Sequence, residues 1–552
     1  MVKKALTFLS NQKTPQDAPI PGTNQVRNSA GGYSWQVDSW QRLRRFLILG
    51  SEGGSYYATE QALTVENANN VLHCIHTDGQ RTVREIVAVS QEGRAPKNDP
   101  AIFALALACA HGDPDTRRDA LDALPKVCRT ATHLFQFTGF VNGMRGWGRG
   151  LRRGVSAWYR SLEGRDLAYQ VVKYRQREGW THTDTLRLAH VTPQTDTQNA
   201  IFKWVTKREQ ATWVNELTPP DNNALALIWA FEQVQTATDL NRVLKLITDY
   251  DLPREALPTQ WLNEAAVWAA MLPKMPMTAM IRNLATMSRV GLLTPLSEAE
   301  NTVVSKLTNA DALRKARVHL IAVLSAMRVY ALGFSLKGRA YAPHAANGSG
   351  GKEWTATPRI LDALDTAFEL AFKNVEPTNQ RMMLALDVSG SMSTGAIAGV
   401  PVLTPRDGSA AMAMVTARTE TNYHIISFQD RIVPLNISAK MRLTDVVQAT
   451  SNLPFGRTDC AQPMVYAQAN NIPVDTFVIY TDSETWANPQ LHPVQALREY
   501  REKTGIASKL VVVGMVANNF TIADPNDSGM LDVVGFDTAA PAVIADFTRG
   551  TL

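Results

Sequence analysis

Three oxygen-bearing side chains stand at alternate positions in the segment Asp387-Val-Ser-Gly-Ser391. The segment follows an apolar run that begins at Met382 and predicts a buried strand. Open α/β sheets bind ligands at the carboxyl ends of their strands, so a binding site is expected at this turn. One carboxylate and two hydroxyls, without His or Cys, suit a hard cation such as Mg²⁺.

Two later segments offer further oxygen ligands. Thr458 and Asp459 lie in the turn-rich stretch 454–459, and Asp482 ends a second apolar run, 476–481. The order Asp-x-Ser-x-Ser, distant Thr, distant Asp resembles the metal-ion-dependent adhesion site of von Willebrand factor A domains. The alternative is a Ser and Gly turn that merely ends a strand. The presence of all three parts in order favours the metal site.

The resemblance implies how these residues hold Mg²⁺ or another divalent cation. Ser389, Ser391 and Thr458 are then the direct ligands, while Asp387 and Asp482 coordinate through water. Such a metal keeps an open position, and its expected role is to bind a carboxylate or phosphate of a partner. The motif contains no residue pair that would activate a nucleophile.

The elements that must position this motif alternate between strand and helix from residue 381 onward. The pattern predicts strands at 382–388, 422–428, 476–481 and 509–516, with a short one near Val533. It predicts helices at 409–418, 444–451, 460–470, 494–503 and 540–548. This alternation, with continuously apolar strands, implies a parallel, doubly wound α/β sheet whose first strand carries the Asp387 motif.

The preceding part of the chain, from about residue 36 to 375, has mostly helical periodicity. Apolar residues recur at three- and four-residue spacing in 67–75, 100–111, 115–127, 223–235 and 310–332. Helices of this size without a strict repeat fit a HEAT-like α-solenoid. The Gly- and Ser-rich stretch 347–351 predicts a hinge before a connecting helix at 357–375. We therefore expect a tail at 1–20, a helical-repeat domain at 21–356 and an A-like domain at 357–552.

Composition and cysteine usage favour a cytoplasmic protein. The chain has 552 residues, of which 45% are hydrophobic, enough for more than one core. Cys74, Cys109, Cys128 and Cys460 lack CxxC spacing, so buried free thiols are expected in a reducing compartment. The longest apolar stretches reach about half of the ~20 residues that a membrane span requires. No signal-peptide pattern opens the sequence.

The net charge of +5 is unevenly distributed. Between residues 126 and 190, twelve Lys and Arg oppose four Asp and Glu, a local charge of +8. From residue 381 to the end, twelve oppose sixteen, a local charge of −4. This asymmetry predicts a surface for a polyanion in the first half and a separate acidic metal-binding module.

Two groups of basic residues in this region are candidates for RNA binding. The first basic cluster, with Tyr174 and Trp180 between its members, is Lys173, Arg175, Arg177, Arg187 and His190. The second basic cluster, next to Trp147 and Trp158, is Arg145, Arg149, Arg152 and Arg153. Basic groups neutralise phosphates, and aromatic rings stack on unpaired bases. The alternatives are a solvated helix face for the basic runs and core positions for the two tryptophans.

A helical array followed by an A domain resembles the Ro 60 kDa autoantigen family, which carries the TROVE module. Matching segments extend over nearly the whole chain: 28–33 (NSAGGY), 46–57 (FLILGSEGGSYY), 90–94 (SQEGR), 132–135 (THLF), 147–152 (WGRGLR), 180–190 (WTHTDTLRLAH), 520–525 (FTIADP) and 535–537 (GFD). The resemblance implies a closed ring of helical repeats that binds Y-like small noncoding RNAs on its outer surface. Its central hole is expected to take single-stranded 3′ ends of misfolded RNAs. Family contacts map best onto Lys173, Arg177 and His190.

The leading hypothesis is therefore a non-catalytic RNA-binding protein of RNA quality control. The resemblance implies an exoribonuclease partner such as polynucleotide phosphorylase, no membrane partner, and a monomer within a ribonucleoprotein. The alternative is a metal-dependent protein-adhesion module on a passive helical scaffold. A metal-dependent nuclease is disfavoured because two-metal chemistry needs several carboxylates, and the motif offers only Asp387 and Asp482, with Asp459 nearby.

Overall fold

The computed structural model describes residues 13–334, 353–370, 376–397, 403–451, 453–488 and 490–552. The predicted hinge at 347–351 lies outside the described residues. So do positions 1–12 of the predicted tail and the last part of the connecting helix, 371–375.

The first large region is built from helices and short turns, as its periodicity predicts. Helices α1 to α17 are, in chain order, Ser39–Leu49, Glu60–Glu92, Asp99–His111, Pro114–Asp122, Leu124–Val127, Ala131–Arg145, Arg149–Arg160, Gly164–Lys173, His182–Ala189, Asp196–Thr206, Asn223–Gln235, Leu240–Tyr250, Ala265–Met271, Met277–Arg289, Glu298–Leu307, Ala310–Lys315 and Leu320–Leu332. None of the described helices is both long enough and apolar enough to cross a membrane.

Two long helices expected from the sequence are broken. The predicted helix 115–127 is divided into α4 and α5, because Pro125 has no backbone N–H to continue the first helix. The predicted helix 310–332 is divided into α16 and α17 at Arg317, whose φ of 49° is incompatible with a continuous right-handed helix. In contrast, α2 extends well beyond the predicted 67–75 and bends at Asp78 (φ −155°, ψ 89°).

The strands are short in the first half and longer in the second. Strands β1 to β11 are Val26–Arg27, Tyr33–Gln36, Gln176–Arg177, Trp180–Thr181, Met382–Asp387, Tyr423–Phe428, Ile432–Val433, Thr476–Thr481, Lys509–Gly514, Phe520–Thr521 and Met530–Val534. Helices α18 to α23 are Pro358–Leu370, Pro405–Thr419, Leu443–Ser451, Gln462–Ala469, Pro493–Thr504 and Ala540–Arg549. The alternation predicted from residue 381 onward is confirmed.

The large sheet has the strand order β11-β9-β8-β5-β6-β7. It is parallel except for β7, which runs antiparallel to β6. The predicted parallel sheet is confirmed for its five longer strands. The two-residue strand β7, which was not predicted, adds an antiparallel edge, because the tight turn in which Gln429 N donates to Arg431 O reverses the chain. Every residue of β5 and β8 is buried, as expected for central strands covered on both faces.

Alternate residues of β5 enter two different cores. Met382, Leu384 and Leu386 belong to a hydrophobic core that continues into the helical region. Met383 and Ala385, on the other face, pack in a second core. That second core also contains Ile20 and Trp35 from the start of the chain, so the amino-terminal segment helps to cover the sheet.

The amino-terminal segment is joined to the C-terminal domain by backbone pairing as well. Strand β2 pairs with β1 on one side and with β10 on the other, to form a three-stranded sheet. In that sheet Trp35 lies opposite Thr521. Earlier in the chain, Gln16 Nε2 donates a 2.7 Å hydrogen bond to Asp459 Oδ1.

The segment after α2 and the start of α17, the last helix of the array, meet beside the C-terminal domain. His319, the N-cap of α17, lies with its Nε2 3.0 Å from the carbonyl oxygen of Arg94 and 3.0 Å from that of Phe536. The guanidinium of Arg94 in turn forms an ion pair with Asp537. The two ends of the helical region are thus in contact with each other and with the C-terminal domain, as a closed arrangement requires.

Candidate metal site and nucleic-acid interface

The Asp387 motif forms a compact turn at the end of β5. Ser389 N donates to Asp387 Oδ1 at 2.9 Å, and Thr481 Oγ1 donates to Asp387 Oδ2 at 2.7 Å. The hydroxyl oxygens of Ser389 and Ser391 lie 3.2 Å apart. The carboxylate and both hydroxyls predicted as ligands are therefore buried within one turn.

The two later segments reach the same edge of the sheet. Because β5 and β8 are parallel neighbours, Asp482 follows its strand beside the Asp387 turn. Thr458 lies on a loop that is tied to both places. Its carbonyl accepts from Trp486 N at 3.1 Å, and Gly456 O accepts from Gly390 N at 3.0 Å.

Burial makes this cluster electrostatically unfavourable without a cation. Burial raises the pKa of Asp387. It raises the pKa of Asp482 well above its usual range, and the charges of Asp387 and Glu484 add to this effect. A divalent cation would stabilise the ionised form of these carboxyls and satisfy the adjacent hydroxyl oxygens, so the residues fit the predicted metal. Among the described residues, no three His, Cys, Asp or Glu side chains form a metal-binding group by themselves.

Aromatic residues from both domains surround the site. Phe455 of the Thr458 loop covers Gly390 so closely that a Cβ there would lie 2.0 Å from its ring. Its ring centroid lies 6.2 Å from that of Tyr56 in the helical region, and both residues are exposed, Tyr56 to 48% and Phe455 to 68%. The glycines of the Gly50–Gly54 stretch superficially suggest a phosphate loop. The stretch instead packs against the C-terminal domain, where Gly53 contacts Ala396.

The first basic cluster is divided by the fold. Three of its members, Lys173, Arg175 and Arg177, line one open cavity of about 580 Å³, which we call the basic cavity. Arg208 contributes a fourth cation to its wall. Arg175 lies over the Phe231 ring at 4.9 Å, and Arg177 is exposed at the end of β3, where it pairs with Trp180 of β4.

The other two members of the cluster lie along α9, whose first residues border the basic cavity. Arg187 donates to Thr206 O at 2.8 Å, next to Val205 of the cavity wall. His190 is exposed at the C-cap of α9 in the left-handed conformation, with φ 52°. It is not among the residues that line the cavity. The structure therefore places His190 at the far end of a helix of eight residues.

The second basic cluster lies at the junction of α6 and α7. Its four arginines, Arg145, Arg149, Arg152 and Arg153, are all exposed, and Arg145 donates to Ala110 O at 3.1 Å. Trp158 is buried in the core, where its indole donates to Cys128 O, so the core interpretation is correct for this residue. Trp147 is partly buried, and its ring centroid is 6.0 Å from that of Trp180. This aromatic pair connects the two basic clusters.

Among the residues of the basic cavity that sequence reasoning missed are Trp204, Arg208 and Glu255. Arg208 follows α10 and is paired with Glu232, so neither its position nor its partner follows from a local pattern.

The four cysteines are free and buried, as predicted.

Comparison with known sequence families gives matches to both domains. The family described as "TROVE domain" matches residues 26–348, and "Ro60 vWA domain" matches residues 381–548. Together these matches account for most of the chain.

Individual relatives match over almost their whole lengths. A Deinococcus radiodurans protein named "RNA-binding protein RO60" is 42% identical over 555 residues, covering 100% of both chains. A Caenorhabditis elegans protein of the same name is 35% identical over 612 residues, covering 98% of this chain and 92% of the relative. The crystal structure of the Deinococcus radiodurans RO (RSR) protein is 40% identical with a TM-score of 0.68, covering 93% of this chain and 100% of that chain.

Proposed function

This chain belongs to the Ro60 family, and we propose that it binds structured small RNA through the basic cavity and the adjoining arginines. Both similar proteins are named as RNA-binding proteins, which agrees with a binding protein rather than an enzyme. The observation that carries the proposal is the convergence of Lys173, Arg175 and Arg177 on one open cavity within the most basic part of the sequence.

The charges in this cavity are available to phosphates to different degrees. Arg208 is neutralised by Glu232. Lys173, Arg175 and Arg177 have no ion pair with a described carboxylate, so they retain their charge for an anionic ligand. Exposed arginines of the second basic cluster extend the positive surface beyond the cavity. Such a surface binds the nucleic-acid backbone with little sequence preference.

The finer part of the proposal follows the family resemblance. The RNA is a Y-like small noncoding RNA, and misfolded RNAs are bound by their single-stranded 3′ ends. The contact of His319 with Arg94 supports a closed helical ring, which a threaded 3′ end requires. An exoribonuclease such as polynucleotide phosphorylase is the partner that would degrade RNAs delivered in this way.

A gel-shift titration with a structured small RNA tests the RNA proposal. Lys173→Glu/Arg177→Glu is expected to weaken binding at least tenfold, because two cations in the cavity become anions. Lys440→Glu/Arg431→Glu makes the same change in net charge at exposed positions of the A domain and should leave the affinity nearly unchanged. Equal effects of the two double variants would contradict a localised RNA site.

We also propose that Asp387, Ser389, Ser391, Thr458 and Asp482 bind Mg²⁺ or another divalent cation. The burial of two carboxyls beside two hydroxyls supports this proposal. A cation there would offer an open coordination position to a carboxylate of a protein partner. Exposed Tyr56 and Phe455 beside the site favour this second function, since aromatic residues are enriched in protein interfaces.

A further inference from the structure

The amino-terminal segment, residues 13–36, lies against the two loops that carry the proposed metal ligands Thr458 and Asp482. We call residues 454–459 and 482–488 the ligand loops. Both are irregular in conformation. Their shape therefore depends on hydrogen bonds to each other and to the segments that surround them.

The side chain of Gln16 connects the two ligand loops. Gln16 is fully buried, and its Nε2 donates to Asp459 Oδ1 at 2.7 Å. Its Oε1 accepts from Thr485 Oγ1 at 2.6 Å. One amide thus bridges the residue next to Thr458 and a residue of the loop that begins at Asp482.

The carboxylate of Asp459 is held by several donors. Its Oδ1 also accepts from Ala461 N at 2.9 Å. Its Oδ2 accepts from Gln462 Nε2 at 2.7 Å and from Asn488 Nδ2 at 2.9 Å. These three donors and Gln16 use the roughly four acceptor positions that a carboxylate offers. Asp459 therefore fixes the loop beside the metal site instead of serving as a ligand.

The amino-terminal segment holds the second ligand loop at further points. Asn28 Nδ2 donates to Thr485 O at 2.8 Å, and Ala30 N donates to Glu484 Oε2 at 3.1 Å. Gly32 passes so close that a Cβ there would lie 2.0 Å from Thr485 O, an approach that requires glycine. The loop after Asp482 is therefore packed directly against the start of the chain.

We propose that the amino-terminal segment is part of the metal site and that Gln16 positions the ligand loops for the cation. This inference rests on the proposed metal site and extends it to a residue 443 positions before Asp459. Hydrogen bonds of this kind orient metal ligands, and the loss of one typically weakens metal binding by ~10–100-fold. The A domain by itself then lacks a residue that its metal site needs.

A Mn²⁺ titration of the full-length protein tests this role of Gln16. Electron paramagnetic resonance measures the free ion, and the site in question is the bound Mn²⁺ that Asp387→Ala removes. Gln16→Leu keeps the size of the side chain and removes its amide. This variant is expected to raise the Kd of that Mn²⁺ about tenfold, because both ligand loops lose their shared partner.

Gln25→Leu is the matched control. It makes the same change at another buried glutamine of the amino-terminal segment. Gln25 contacts the A domain outside the ligand loops, where its Nε2 lies 3.4 Å from His492 Nδ1. This variant should bind Mn²⁺ as tightly as the wild type.

Thr485→Val removes the same hydrogen bond from the other side. It should weaken Mn²⁺ binding in the same direction, and it replaces Gln16→Leu if that variant fails to fold. The effects of Gln16→Leu and Thr485→Val should not add in the double variant, because the two residues are direct partners.

The outcomes separate this inference from the proposed metal site. If no Mn²⁺ binding depends on Asp387, the proposed metal site fails and the role of Gln16 with it. If Asp387→Ala removes the Mn²⁺ while Gln16→Leu and Thr485→Val bind it as tightly as the wild type, the amino-terminal segment only covers the sheet. An equal loss of affinity in Gln25→Leu and Gln16→Leu would likewise overturn the role of Gln16.

Discussion

Arg45 Nη2 donates a 2.6 Å hydrogen bond to Asp532 Oδ2, although the two residues lie 487 positions apart in the sequence. Arg45 is fully buried and also donates to Phe520 O at 2.9 Å. Its ion pair thus joins the first helix of the array to the last strand of the A domain. A charged group at this depth makes the stability of one domain depend on the other.

We predict that Arg45→Met lowers the free energy of unfolding by ~3–5 kcal/mol, because Asp532 is left buried without a counter-charge. Urea denaturation followed by circular dichroism measures this change. Arg44→Met removes the neighbouring ion pair with Glu85, which is partly exposed, and should cost ~1 kcal/mol or less. If Arg45→Met were no more destabilising than Arg44→Met, the buried pair would not stabilise the domain contact.

Two buried histidines, His182 and His319, and the partly buried His133 predict a loss of stability in acid. Burial lowers the pKa of His133, His182 and His319 to about 4, below the usual ~6.5 of an unfolded chain. The folded chain has its full stability above pH ~6.5, where these histidines are neutral in both the folded and the unfolded state. Stability falls as the pH decreases to ~4, because the unfolded chain binds protons that the folded chain does not. Each contributes roughly 3 kcal/mol to this effect. Urea midpoints between pH 7.5 and 4.5 measure it, and His182→Gln should flatten the pH dependence.

Removal of the metal site should leave RNA binding intact. We predict that Mg²⁺ raises the melting temperature of the wild-type protein and that Asp387→Ala abolishes this rise. The RNA affinity of Asp387→Ala should stay within ~2-fold of the wild-type value, because the metal site lies in the A domain and the proposed RNA site lies in the helical domain. Asp445→Ala removes an exposed carboxylate of the same domain and should keep the response to Mg²⁺. A full Mg²⁺ response in Asp387→Ala would exclude this carboxylate from the metal site.

The salt dependence of RNA affinity should report how many phosphates the basic surface neutralises. Arg177→Ala is predicted to reduce the slope of log affinity against log salt concentration by about 1. Arg152→Ala tests the second basic cluster in the same way, with Arg314→Ala, a remote exposed arginine, as its control. An unchanged slope for Arg152→Ala would restrict the RNA contact to the basic cavity.

Much of the fold could be predicted because it follows from local apolar patterns. The predicted strand 476–481 and helix 223–235 agree with β8 and α11 at both ends. The short strands β2 and β7 were not predicted. They have four and two residues, and on one side β2 pairs with β10, nearly 500 positions later. No local pattern encodes such a pairing.

The candidate sites show the same distinction. Asp387 and Asp482 could be placed together because parallel neighbouring strands end at one edge of a sheet. Tyr56, which borders that edge from the helical region, could not be placed there. In the first basic cluster, His190 is close to Lys173 in sequence but lies farther from it in the structure than that suggests. The helix α9 separates His190 from the basic cavity.

The pairing of β2 with β10 sets a delay during synthesis. Trp35 and Arg45 leave the ribosome hundreds of residues before Thr521 and Asp532. At roughly 5–20 residues per second, that interval is on the order of 25–100 s. During this time β2 has no β10 to pair with, and Trp35 and Arg45 lack the partners against which they are finally buried. The nascent protein is therefore expected to depend on chaperones until translation is almost finished.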